Sequence, residues 1–297
     1  MTFLPSRVAD SSLSSSMIYS LAGDQNNLVN LQQLLASGNN ISKPSDNPVG
    51  ITNLLGVQTS LARSNQYIVN ASDGLSLLGT ANSTMSTAMS TLQQVRSLLV
   101  SAGNSSMSPQ AVQAIGTQIQ GLTNALLGSA NTQYLGTAIF SGTTGSATAY
   151  DSSGNYLGNA TPQTRMVAPG VSLPATVTSP FGASGSPTNM FVVLNQIVSH
   201  LSTGSTANVQ SDLGNFDTAF SGVETAAAQI GSQYQEMQTM QQQMTYNQQT
   251  LNTQLGGIQN VDVAAVSTQY QQALSNYQVA LYAASKVSQP SLATYLP

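Results

Sequence analysis

Cysteine and tryptophan are absent from this 297-residue chain, and charge is scarce: Asp, Glu, Lys and Arg together make 5% of it, against about 25% in an ordinary soluble domain. Without cysteine there is no disulfide framework, thiolate nucleophile or thiolate metal ligand. Six basic against ten acidic residues, for a net charge of -4, leave no basic cluster, so neither nucleic acid nor an anionic membrane surface is an expected partner. No apolar run reaches the roughly 18 to 20 residues of a membrane span. The start MTFLPSRVADSSLSSSM lacks the basic, then apolar, organisation of a cleaved secretory signal, so any export is expected to use another route.

Catalytic chemistry is equally short of material. His200 is the one histidine, and at the end of a predicted helix over residues 189–200 it is expected to meet the last carbonyls rather than to act as a base. Glu224 and Glu236, and likewise Asp212 and Asp217, fall on different faces of one predicted helix. Asp151 in DSSGN lacks the further acidic positions of a calcium loop and reads as a turn. The expectation is a non-enzyme with no cofactor and no metal.

Heptad spacing is what the chain has in abundance. Every seventh residue from Val209 is apolar: Phe216, Val223, Ile230, Met237, Met244, Leu251 and Ile258. A second row, Leu213, Phe220, Ala227, Tyr234, Gln241, Gln248 and Leu255, interleaves with it. The pattern predicts one helix of about 50 residues, roughly 75 Å long at 1.5 Å per residue. A partner of similar length carries Leu54, Leu61, Ile68, Leu75 and Met89 in one row and Ala71, Leu78, Met85, Leu92 and Leu99 in the other. A third helix opens at Ser108-Pro109, an N-cap followed by proline at the first helical position. The predicted rod core is Leu54, Leu61, Ile68, Leu75, Leu92, Phe216, Val223, Ile230, Met237 and Leu251.

Weaker stripes lie at both ends, Met17, Leu21, Leu28, Leu31 and Leu35 in one, Val266, Tyr270, Ala273, Tyr277 and Leu281 in the other, with Leu292 and Leu296 beyond. Between the N-terminal stripe and the first long helix stands SGNNISKPSDNP, where Lys43-Pro44 stops one helix, while Asp46, Asn47 and Pro48 launch the next. Residues 141–188 change to Gly, Ser, Thr and Pro, with short extended runs such as TRMVA and PATVT. The fold expected is mainly α, an elongated antiparallel coiled-coil-like helical rod built from both chain halves, with a small β-rich insert. These helices are rich in Ser, Thr and Asn and poor in ion pairs, so packing must supply their order. The terminal stripes, identified as the assembly interface, are therefore expected to become helical only on assembly.

Three segments resemble the bacterial flagellin superfamily, and within it the proteins of the hook-filament junction. LQQLLASGNNISKPSDNPVG is similar to the family's turn after its first helix; MSPQAVQAIGTQIQGLTNALLGSANTQYLGTAIFSGT is similar to its third helix and the entry into its β-hairpin; QPSLATYLP is similar to the junction proteins' ending. The resemblance implies export as an unfolded chain through the flagellar type III apparatus. It implies that residues 1–43 with 259–297 form an inner assembly domain, 44–140 with 189–258 a helical rod, and 141–188 an outward insert. Implied partners are further copies in a ring of about eleven subunits, closed by cyclic symmetry, a neighbouring hook-associated protein, flagellin, and an export chaperone on the C-terminal segment. In LQQVRSLLVS, residues 92–101, Gln94 and Ser97 stand where flagellins carry a basic and an acidic residue of an innate-receptor site. The alternatives are a short flagellin, the bulk filament subunit, and an adhesin whose insert would stack sugars on Tyr150, Tyr156 and Phe181. So few carboxylates also imply an assembly that survives acid, since little charge changes as pH falls.

Overall fold

The computed structural model describes residues 5–41, 43, 47–104 and 106–287. Among these residues it is mainly α, with six helices: α1 Pro5–Ser37, α2 Pro48–Ala102, α3 Pro109–Ala130, α4 Met190–Ser202, α5 Val209–Gln259 and α6 Val263–Val287. Between α3 and α4 lie two small antiparallel pairs, β1 Gln133–Tyr134 with β2 Thr137–Ala138, and β3 Thr164–Ala168 with β4 Val171–Pro174. By its contacts the chain forms two compact units, residues 62–248 and residues 1–61 with 249–297.

Unit 62–248 holds a contiguous hydrophobic core to which α2, α3, α4, α5 and the insert all contribute. The α2 and α5 segments run antiparallel: Ser64 Oγ donates to Met244 O (3.2 Å), Gly74 faces Met237, Gly103 faces Val209 and Arg96 meets Asp217. The heptads are therefore a helix-helix seam, though it is rotated from the one the sequence suggests. On α5 the row Val209, Phe216, Val223, Ile230, Met237 and Met244 is buried, but its companion is Asp212, Ala219, Ala226 and Gln233, one residue before the predicted second row. Leu213, Phe220, Ala227 and Tyr234 flank the core, half-buried. Small side chains at the tightest approach let the helices close, and bulky ones of that face sit at the rim. The buried glutamine is consequently Gln233, not Gln241 or Gln248, which stay half-exposed.

α3 starts as the sequence indicates, with Ser108 Oγ accepting from Ala111 N and Pro109 at its first position. It packs on α4, where Gly116 leaves room for Leu201. In the insert TRMVA is β3 and pairs with VSLP, whereas PATVT, expected to be extended, is strand only at Pro174. The ladder ends at Pro174, which has no N–H to give, and Ala175 N donates once more to Gln163 O (2.7 Å). The β1–β2 turn places Leu135 (φ 49°) and Gly136 (φ 82°) in the left-handed region that a two-residue hairpin loop demands.

Two asparagines anchor the insert. Asn131 Oδ1 accepts from Ala149 N and Tyr150 N while its Nδ2 donates to Tyr150 O. Asn189 caps α4 through Oδ1, and its Nδ2 donates to Gly154 O. The rings of Phe140, Tyr150, Phe181 and Phe191 pack with centroid separations of 5.2 to 6.0 Å. Burial pushes the Tyr150 phenol well above its ordinary range, so it stays neutral; it accepts from Phe181 N and donates to Gly182 O. Tyr150 and Phe181 are thus core, and with Tyr156 half-buried the insert offers no platform of these rings for stacking sugars.

In the other unit α1 and α6 lie antiparallel, with Asp24, Asn27 and Leu31 of one and Gln269, Gln272, Ala273 and Asn276 of the other lining a shared groove. Both are helices in the single chain and cover each other's stripes, whereas the sequence reading placed that order at assembly. The segments between helices are clasped by backbone bonds: Asn40 N donates to Gln259 O (2.7 Å) and Val261 N to Gly38 O (3.0 Å), an antiparallel bridge of Asn39 with Asn260.

Candidate assembly interface

Among its described residues the terminal unit has almost no core: the buried hydrophobic side chains are Leu31 and Val266, each 8% exposed. Met17, Leu21, Leu28, Leu35, Tyr270 and Tyr277 are half-buried on the facing sides of α1 and α6. Leu281 falls outside that seam at 43% exposure, and Leu292 and Leu296 lie outside the described residues. Further apolar side chains face solvent: Tyr19 80%, Val279 65% and Tyr282 66% exposed, and Ile18, Val29 and Leu274 exposed as well. Sequence reading missed this set because it interrupts no heptad; the signal was tyrosine and valine at positions off the stripe.

Physical chemistry makes the consequence plain. Two helices of Ser-, Thr- and Asn-rich sequence are marginal unless packing orders them, and burying one large apolar side chain contributes about 1.5 to 3 kcal/mol. The α1–α6 seam alone buries few; the outward set supplies the area that an assembly would cover.

At the turn, Asn47 Oδ1 accepts from Gly50 N (2.8 Å), capping α2 at Pro48 as the sequence indicates. Lys43 is exposed in a bend, and Pro44 and Asp46 fall outside the described residues. Gly38 has φ 68°, ending α1 in the left-handed conformation that favours glycine. The turn SGNNISKPSDNP is thus pinned at one end by the clasp to residues 259–261 and at the other by the Asn47 cap.

Of the predicted rod core, Leu92, Phe216, Val223, Ile230 and Met237 are buried to within 1% exposure, whereas Leu54, Leu61, Ile68, Leu75 and Leu251 are half-buried. The deepest α2 row is Ala71, Leu78, Met85, Leu92 and Leu99.

Charges in the helical unit tie elements together. Arg165 on β3 pairs with Asp73 on α2 (2.7 Å), and Tyr134 donates to the same carboxylate. His200 does not sit on its helix's last carbonyls; its Nδ1 lies 3.0 Å from both carboxylate oxygens of Asp212, which is 2% exposed. Thr203 serves the His200 carbonyl instead. Arg96 grips Asp217 through two nitrogens at 2.8 and 3.0 Å, holding its carboxyl below the usual range. A depressed carboxyl stabilises the fold above its unfolded pKa and loses that contribution as pH falls through the folded value. Asp217→Asn is accordingly expected to lower the urea midpoint by a constant small amount from pH 8 to 5, the gap to the parent closing below about pH 4. A gap that widens in acid would contradict the assignment.

Two family profiles cover most of the chain: the bacterial flagellin N-terminal helical region matches residues 8–144 and the C-terminal helical region residues 213–296. The chain belongs to the bacterial flagellin family. This flagellin-family chain is 23% identical over 276 residues to flagellar hook-associated protein 3 of Salmonella typhimurium, covering 84% of its own length and 87% of that protein. It is 25% identical to flagellar hook-associated protein 3 of Escherichia coli, over 69% of its length and 73% of that protein. In fold it is similar to the crystal structure of Xanthomonas campestris FlgL, with a TM-score of 0.60 at 18% identity, covering 67% of this chain and 99% of that one.

Proposed function

We propose that the protein is a structural subunit of the bacterial flagellum, forming the junction ring that connects hook to filament and on which the filament assembles. The observation that carries this is the terminal unit: a helix pair with a minimal core and an outward apolar face, in a flagellin-family chain whose similarity to hook-associated protein 3 spans most of both lengths. Residues 1–43 with 259–297 act as the assembly domain, 44–140 with 189–258 as the rod, and 141–188 as the outward insert. The partners are further copies of itself, a hook-associated protein on one side and flagellin on the other. An export chaperone contacts residues 262–297 before secretion, and the subunit leaves the cell unfolded, without a cleaved signal. Its work is mechanical, with no catalytic step.

Deleting the gene and assaying the medium tests this. Flagellin shed into the medium, with bare hooks in electron micrographs, is the expected result. Absent filaments with no other flagellin shed would make the chain the bulk filament subunit instead.

A further inference from the structure

The α1 stripe Met17, Leu21, Leu28, Leu31, Leu35 has a gap where its spacing of four and three calls for a residue at position 24, and that residue is Asp24. A carboxylate therefore occupies a seam position. It is half-buried, and among the described residues it has neither an ion-pair nor a hydrogen-bond partner. It opens into a groove of about 270 Å³ between α1 and α6, lined by Asn27, Leu31, Gln269, Gln272 and Asn276. That is below the roughly 300 to 1,000 Å³ of small-molecule pockets, and it suits the end of one long side chain. A carboxylate amid side-chain amides is an acceptor-rich cradle for an ammonium with three N–H donors.

Among the cations whose side chains are described, few are free to fill it. Arg96 and Arg165 are in ion pairs, Lys43 is engaged elsewhere, and Arg63 belongs to the other unit. Lys286 is exposed near the end of α6, with the Tyr282 ring beneath it at 5.6 Å. It stands ten residues beyond Asn276, about 15 Å along the helix, which is out of reach of Asp24 in its own chain. Its neighbours Val279 and Tyr282 are exposed apolar side chains, able to dock against a neighbour as the lysine enters the groove.

We propose that Lys286 of a second copy seats in the Asp24 groove, an ion pair that sets the register between adjacent terminal units. The inference rests on the assembly reading above. It gives the outward face of α6 a specific acceptor on the next subunit, and it explains why a carboxylate interrupts an otherwise apolar stripe. Polar groups at single seam positions specify register at some expense of stability.

The test is a charge swap in the full chain, expressed in the deletion strain, with filament-bearing hooks counted. Asp24→Lys and Lys286→Asp are each expected to lower the count about fivefold, what ~1 kcal/mol per contact corresponds to; the double variant should recover most of it. Singles that behave as the parent, or a double no better than the singles, overturn the pairing. Sedimentation of the purified full-length chains gives a second readout independent of motility. There too the singles should self-associate about fivefold more weakly and the double should recover, whereas equal self-association in all four chains overturns the pairing. Failure of the parent chain to restore filaments would instead count against the junction reading, with sedimentation still deciding the pair. Circular dichroism of each variant, and the near-isosteric Asp24→Asn, separate lost pairing from lost helix.

Discussion

Phe216→Ala is expected to destabilise the 62–248 unit by about 3 to 5 kcal/mol, the range for removing a buried aromatic ring. Phe216 is 0% exposed, stands on the buried α5 row, and stacks on Phe220 with centroids 5.9 Å apart at 14°. Its loss removes apolar burial and leaves a cavity that two long, already closely packed helices cannot collapse to fill. Leu251→Ala is the control, because Leu251 continues the same heptad row but is half-buried in the other unit. Urea unfolding followed by circular dichroism should show a far larger loss for Phe216 than for Leu251. Equal losses would mean that the seam buried at Phe216 is not the one holding the unit together.

His200→Ala follows, with an expected loss of about 2 to 3 kcal/mol. Asp212 is 2% exposed, and its carboxylate lies against His200 Nδ1, so truncating the imidazole leaves a buried acceptor without its donor. His200 itself is 30% exposed, so water can replace part of what is removed. Replacing both members, as in His200→Ala with Asp212→Leu, should therefore be less harmful than His200→Ala alone, since no unsatisfied carboxylate remains buried. The comparison by urea midpoint checks it; a double variant weaker than the single would show that the bond itself, rather than the orphaned charge, carries the effect. The pair closes the turn between α4 and α5, so near-UV signals from the neighbouring Phe216 should change with it.

Membership of the flagellin family and the α1–α6 pairing point to the same division of labour. The 62–248 unit holds the core, and its large buried rows tolerate a Ser-, Thr- and Gln-rich exterior with few ion pairs. Among its described residues the terminal unit keeps two buried apolar residues and many exposed ones. A helix pair so sparsely packed has little tertiary burial of its own to hold it.

Periodicity made much of this legible from residues alone. Val209 to Ile258 at intervals of seven leaves little alternative to a long helix with an apolar face, and the Ser108-Pro109 cap and the Asn47-Pro48 start are local signals with local causes. Such features depend on neighbours in the chain, and the chain specifies them. What residues alone did not specify was the rotation of the seam. Positions three and four beyond the Val209 row are both near it, and sequence cannot choose between Ala219 and Phe220 until a partner surface decides which one fits the closest approach. The same holds for His200, whose partner lies twelve residues away across a turn, and for β3, which pairs with VSLP because of where the hairpin closes rather than because of strand propensity. Sequence by itself determined the long helices, their order and the family; tertiary structure alone decided which strands form in the insert, which face of each helix is buried and which side chain meets which, because those choices are made by packing between segments distant in sequence.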